Sequence, residues 1–442
     1  MSRNDSLRRL FDVLDYLVDH RVGIVKMVGE APLEPGAPDF FHCYAQACNT
    51  GAFVLQENFA SCGAASTDRQ VARARAIGEA IERYCAAIYD PDELPLTSYR
   101  EARFPCVPPN EWALYSPEQY QEEAFQFVPF NGDTPVRWTP SVDLLTQQTI
   151  YAPAAMVYIP YFFYLSTGEL PIAQPISTGL ACHCSLAEAT VSAICEVIER
   201  DAFMITWQAR LAPAHIRIET VPEETREMVR RFELAGYTID LLDVTTDVRV
   251  PTVLATCRNS SPQAPGFVVS AATARTPLAA ARKSLEELEH TRAWCRTILV
   301  NQPRLDPGEG YKNVVDQTTH LNFWCDQKHL PLADFLFTSE RYVDLDDVGD
   351  SGAKDCRDDL EYLTARVRTL GHRLLVSEVT TSDVRELGLR VVRAIIPGFH
   401  PFFVGHRYRV LGGRRLWEVP RRLGFSGIIK KGRDNPVPHP YP

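Results

Sequence analysis

The sequence has no Gly-x-x-x-x-Gly-Lys-Ser/Thr phosphate loop, no Cys-x-x-Cys pair and no long uninterrupted apolar run. Each absence removes a class of function. Without the phosphate loop, any nucleotide must be held by some other device. Without paired cysteines at finger-like spacing, a structural zinc site is excluded; Cys182-His183-Cys184 is too tightly spaced to make one. The most apolar stretch, Met156 to Leu165, is short and broken by Pro160, so it cannot span a bilayer. Basic residues do not dominate: 46 Lys and Arg stand against 56 Asp and Glu, for a net charge of −10. That balance argues against a nucleic-acid surface and against a polybasic membrane anchor.

What is present suits an ordinary soluble globular protein. The 442 residues can bury a substantial core, and 45% are apolar and 23% charged. The opening Leu7, Leu10, Phe11, Leu14 and Leu17 are spaced as an amphipathic helix, not as a secretion signal. The twelve cysteines are scattered, which suits reduced thiols and a cytoplasmic location.

Two internal echoes organise the chain. Ala76-Ile77-Gly78-Glu79-Ala80-Ile81-Glu82-Arg83 is repeated by Ala193-Ile194-Cys195-Glu196-Val197-Ile198-Glu199-Arg200, each after a small-residue turn. Gly236 to Asp247 is echoed by Gly371 to Asp383, each a strand-like run after a helical pattern. The echoes interleave, which predicts one pseudo-symmetric mixed α+β unit with mixed sheets and flanking helices. Three regions are expected: residues 1–60 as a helix and strand segment packed on the core, 61–400 as the main domain, and 401–442 as a folded-over tail. The acidic segment Val343 to Asp359 reads as an exposed loop.

Both glutamate segments read as helices. Thr67 or Asp68 can cap the first, and Ser185-x-x-Glu188 forms a capping box for the second, which should run to about Trp207. Ile77, Ile81, Tyr84 and Ile88 form an apolar stripe on one helix; Ile194, Ile198 and Ile205 do so on the other. Glu79 and Glu82, and likewise Ser192, Glu196 and Glu199, face away from those stripes. Such a face in isolation is usually solvated. Here it continues into Ala72, Ala86, Phe203 and Trp207, where a solvated face would carry Lys or Gln. Two carboxylate pairs at one site would repel unless a cation lay between them, and Mg²⁺ is the natural hard ion. A third helix, Ala279 to Trp294, adds Glu287 and His290 at the same spacing.

These segments resemble the YcaO family, marked by SxxxExxER, SxxxExxE and ExxxExxQ-like motifs. Ser192-x-x-x-Glu196-x-x-Glu199-Arg200 is complete; Arg75 stands for Ser in the first motif and His290 for Gln in the third. The resemblance covers roughly residues 60–442. It implies that Glu79, Glu82, Glu196, Glu199 and Glu287 bind Mg²⁺, and that these with Arg83, Ser192, Arg200 and His290 hold ATP. The end, Asn435-Pro436-Val437-Pro438-His439-Pro440-Tyr441-Pro442, matches the terminal PxPxP of azoline-forming members. It implies that Pro438, Pro440 and Pro442 reach the active site, with the Pro442 carboxylate managing a proton at the peptide.

The chemistry implied is ATP-dependent cyclodehydration. A Cys, Ser or Thr side chain of a ribosomally made precursor attacks the preceding carbonyl, the adduct oxygen takes the γ-phosphoryl group, and phosphate leaves to give an azoline. The alternatives are thioamide or amidine formation, or a non-catalytic scaffold. A separate leader-binding partner is expected, since the chain starts almost directly with family-like sequence. An FMN-dependent dehydrogenase, where the rings are oxidised, and an oligomeric complex belong to the same expectation; nucleic acid and membrane do not.

Overall fold

The computed structural model describes residues 3–349, 355–425 and 433–442. The part of the 343–359 loop at 350–354 and the part of the tail at 426–432 lie outside those residues. Three sheets and three long helices form a mixed α+β fold. The first sheet is an antiparallel meander of Val25–Ala31, Phe41–Ala47 and Ser61–Ser66. The second runs in the order Phe267–Thr273, Thr252–Arg258, Thr238–Asp243, Ala214–Ile216, Tyr342–Val343. The third joins Leu96–Thr97, Val136–Asp143, Leu375–Glu378, Arg390–Ile395 and Leu180–His183, with Gln148–Pro153 paired to Val136–Asp143.

Each motif lies on a long helix laid against a sheet. Asp68 caps Arg69–Ala86 by accepting from the backbone N–H groups of Gln70 and Val71. Ser185 caps Leu186–Gln208 by accepting from Glu188 N–H. Thr276 caps Pro277–Asn301, with Pro277 at the first position, where its missing N–H costs nothing. The expected stripes point inward: Ile77, Ile81, Ile194, Ile198 and Ile205 are all buried. The first helix packs on the first sheet, the second on Arg390–Ile395 and the third on the second sheet. The third helix also touches Ser61–Ser66 and the second touches Phe267–Thr273, which draws the three motifs together.

The structure corrects two expectations. The segment 343–359 is not wholly an exposed loop, since Leu345 and Val348 are buried in the cluster beneath the second sheet. The tail is not peripheral either. Phe402, Phe403, Val437 and Tyr441 share a buried cluster with Phe203, Trp207 and Trp324. Alternating prolines make this burial possible. They carry no N–H, so mainly carbonyls need partners. Trp207 Nε1 donates to Val437 O at 3.1 Å, Trp324 Nε1 to Pro438 O at 2.9 Å and His320 Nδ1 to His439 O at 2.9 Å.

His320 stacks on His439 with ring centroids 4.0 Å apart. Burial lowers the His320 pKa to about 4, and burial pushes His439 well below its usual range. Both are therefore neutral in the folded protein. Because the unfolded chain takes up protons first, their contribution is intact above about pH 6.5 and is lost as pH falls toward 4. His320 alone should cost roughly 3 kcal/mol across that window. His320→Asn keeps a donor near the Nδ1 position without a titrating ring. Denaturant melts at pH 7 and pH 5 should show a smaller acid loss for that variant than for the wild type.

Among the described residues no helix is long and apolar enough to cross a membrane. All twelve cysteines are free thiols, buried or half-buried.

Candidate functional site

The carboxylates meet around one short backbone segment. Gly179 N–H donates to Glu196 Oε2 at 3.2 Å, and Cys182 N–H donates to Glu82 Oε1 at 2.7 Å. Glutamates more than a hundred residues apart are thus fixed by neighbouring peptide groups. The segment depends on Gly179, whose φ is +86° and whose Cβ would lie 2.3 Å from Ala394 O. A side chain there is both strained and blocked.

Glu199 is the most enclosed member. It accepts from Thr273 N–H at 3.2 Å and from the Tyr441 hydroxyl at 2.8 Å. Arg83 Nη2 lies 3.1 Å from Glu79 Oε1, and Arg200 Nη2 lies 3.5 Å from Glu196 Oε1. Glu287 completes the group from the third helix, where it accepts from Ser270 Oγ at 3.5 Å. The glutamate faces are not solvated: Ala72, Ala86, Phe203 and Trp207 are buried.

This crowding shows in the acidities. Burial, reinforced by Glu79 and Glu196, raises the Glu82 pKa to about 8. Burial, reinforced by Glu287 and Glu196, raises that of Glu199 to about 7. Among the described residues no three of these groups stand ready to grip a metal ion, so the cage would have to tighten around an added cation. Its donors are hard oxygens, as Mg²⁺ requires. Arg200 Nε and Arg393 Nη1 are buried without hydrogen-bond partners, although Arg200 Nε lies 3.8 Å from Glu199 Oε1.

The remaining motif positions divide. His290 is half-buried, with Glu79, His42 and Glu287 nearby, and desolvation lowers its pKa, which favours the neutral imidazole. Its Nε2 lies 2.7 Å from the place a Cβ on Gly63 would take, so that glycine admits the ring. Arg75 forms an ion pair with Glu286, Nη1 to Oε2 at 2.7 Å, while Ser66 Oγ donates to Glu286 Oε1 at 2.6 Å. Arg75 thereby ties the first helix to the third. Ser192 is exposed, one helical turn before Glu196. Pro438 and Pro440 are buried as packing residues. Pro442 meets the motif: its backbone oxygen lies 3.5 Å from Arg200 Nη1. The Arg200 guanidinium sits 4.3 Å from the Tyr441 ring centroid.

Two site residues escape the motif reading. Lys283 Nζ lies 3.4 Å from Glu287 Oε1 and 3.9 Å from Glu199 Oε2. It precedes Glu287 by four residues, a spacing that places both on one helix face. Arg393 is buried in the strand Arg390–Ile395, near Glu196, and burial lowers its pKa to about 10. A charged residue inside an apolar strand is the signal for it. Arg393 also lines a largely apolar cavity of about 100 Å³ with Thr178, Val197, Trp112, Tyr115 and Phe402. Phe402 packs on Arg200, 5.3 Å from its guanidinium, so the cavity adjoins the carboxylates.

Comparison with known proteins bears on this arrangement. A family model described as YcaO cyclodehydratase, ATP- and Mg²⁺-binding, matches residues 63–400. An uncharacterised protein of Methanothermobacter thermautotrophicus is 26% identical over 350 residues, covering 76% of this chain and 80% of its own. A structure described as a heterocyclase in complex with substrate and cofactor shares the fold with a TM-score of 0.79 at 20% identity, over 98% of this chain and 57% of that one. The YcaO of Methanopyrus kandleri, bound with AMPPCP and Mg²⁺, shares it with a TM-score of 0.64 at 20% identity, over 89% and 90%. The chain therefore spans a little over half the length of the heterocyclase it matches.

Proposed function

The chain belongs to the YcaO family of ATP- and Mg²⁺-binding cyclodehydratases, and from that premise we propose that it converts Cys, Ser or Thr residues of a ribosomally made precursor peptide into thiazolines or oxazolines. The observation that carries this reading is the gathering of Glu82, Glu196, Glu199 and Glu287 beside Arg200 and the half-buried Pro442 end of the tail.

In this proposal Glu79, Glu82, Glu196, Glu199 and Glu287 hold Mg²⁺ with the nucleotide. ATP, when bound, supplies the phosphoryl group that makes the peptide oxygen a leaving group, while Mg²⁺ offsets phosphate charge. Arg83, Arg200 and Arg393 bring guanidinium donors to the phosphates. His290, neutral and beside Glu79, gives a hydrogen bond without adding charge. The Glu199–Tyr441 bond fixes the tail against the motif, so Pro442 borders the reacting carbonyl. The apolar cavity next to Val197 offers the precursor a place to lay an apolar side chain.

A leader-binding partner protein is part of the same proposal.

The test is reconstitution of the chain with precursor and partner. ATP consumption should rise when peptide is added, and each ring should remove the mass of one water. A gain in mass with sulfur would turn the assignment to thioamide formation. ATP left unconsumed in the full mixture would end the proposal.

A further inference from the structure

Lys283 occupies a position that a metal ion would contest. Its ammonium bridges Glu287 of its own helix and Glu199 of the second motif helix, at 3.4 and 3.9 Å. Both carboxylates belong to the set assigned above to Mg²⁺. Glu199 is almost wholly enclosed, with 1% of its side chain exposed, whereas 36% of the Lys283 side chain is exposed. The carboxylate is therefore fixed and the lysine free to swing. A divalent ion on these oxygens would lie a few ångströms from the ammonium, where like charges repel strongly in a partly buried site. The two cations cannot both use Glu199 and Glu287 in this arrangement.

We propose that Lys283 is a resident cation of the nucleotide-free site, one that yields Glu199 and Glu287 to the metal and passes to the phosphate oxygens of the incoming nucleotide. The inference rests on the nucleotide-site reading and adds a binding residue to it. No new space is required, because a lysine side chain pivots on four rotatable carbons and keeps its charge as a mobile point. The consequence is coupling. Metal alone must displace the ammonium with nothing to receive it. Metal together with nucleotide supplies phosphate oxygens in exchange. Each ligand then favours the other by the same factor.

Titration calorimetry separates this from a surface ion pair. Lys283→Met should bind Mg²⁺ alone about tenfold tighter, because the competing cation is gone. At saturating Mg²⁺ it should bind β,γ-methylene-ATP about tenfold weaker, because a phosphate donor is gone. The two shifts have opposite signs, which loss of fold cannot produce. Lys283→Arg, which keeps the charge, should restore part of the nucleotide affinity, and thermal melts of both variants confirm folding. If Lys283→Met leaves both affinities unchanged, or moves them the same way, while the wild type binds the analogue, the lysine is only a partner of Glu287 and the inference is overturned. If the wild type itself fails to bind the analogue, the nucleotide-site reading falls and takes the inference with it.

Discussion

Replacing Tyr441 by Ala is expected to lower the unfolding free energy by about 3–5 kcal/mol, the usual range for deleting a buried aromatic ring. The side chain is 1% exposed and packs 4.4 Å from the Phe203 ring, between centroids. Its hydroxyl also bridges two elements: it donates to Glu199 at 2.8 Å and accepts from Ala271 N–H at 3.2 Å. Tyr441→Phe keeps the ring and removes only that bridge, so it should cost about 1 kcal/mol. The two variants separate packing from positioning. In Tyr441→Ala, denaturant midpoint and cyclisation should fall together. In Tyr441→Phe, the midpoint should nearly hold while ATP turnover with peptide falls, since Glu199 loses the group that orients it. A Tyr441→Ala protein that melts at the wild-type midpoint would sink the claim that the tail is core.

The tail shows where sequence reasoning fails. Residues after Pro397 are rich in Gly, Arg and Pro, and that composition predicts a folded-over tail more than a core element. It hides two facts that depend on distant partners. Val437 and Tyr441 sit between the prolines at the spacing that lets both enter one cluster, and indole donors from Trp207 and Trp324 meet the carbonyls left over. No local pattern encodes a tryptophan more than a hundred residues away. The motif helices were legible for the converse reason. Their caps, stripes and glutamate faces are set by spacing within one helix, and Asp68, Ser185 and the buried isoleucines lie where that spacing puts them. Convergence of the helices was inferred from charge, since paired carboxylates need a shared cation. The device that achieves it, Gly179 turning so that its own N–H and that of Cys182 face opposite pairs, follows from the positive φ and the approach of Ala394 O. Lys283 does not stand out in the sequence, because a basic residue four before a glutamate is ordinary on any exposed helix. Its role emerges when Glu199, from another helix, is found on its other side.

Glu199→Gln is expected to have opposite effects on binding and stability. The variant should lose Mg²⁺-nucleotide affinity by about 100-fold or more, because an amide is a poor ligand for a hard divalent ion and the cage loses one charge. In chelator, with no metal present, the same change should stabilise the protein. Burial raises the Glu199 pKa to about 7, above the ordinary carboxylate value. A raised acid destabilises the fold as pH climbs from about 4.5, since the unfolded chain sheds its proton first, and the cost levels off once pH passes the folded value. At pH 8 the gain from Gln should therefore be roughly 3 kcal/mol, shrinking toward nothing near pH 4. Gln fits the hydrogen bonds: its oxygen can accept from Thr273 N–H while its amide donates to the Tyr441 hydroxyl, whose proton turns from residue 199 to Ala271 O. Glu196→Gln is the control. Glu196 is partly exposed, at 23% of its side chain, so it should lose nucleotide affinity without a comparable stability gain. If Glu199→Gln binds Mg²⁺-AMPPCP as the wild type does, the carboxylate cage is structural and the assignment of the site is wrong. If it binds poorly but is no more stable in chelator at pH 8, the charge is being screened by Lys283 and Arg200 more fully than its burial suggests.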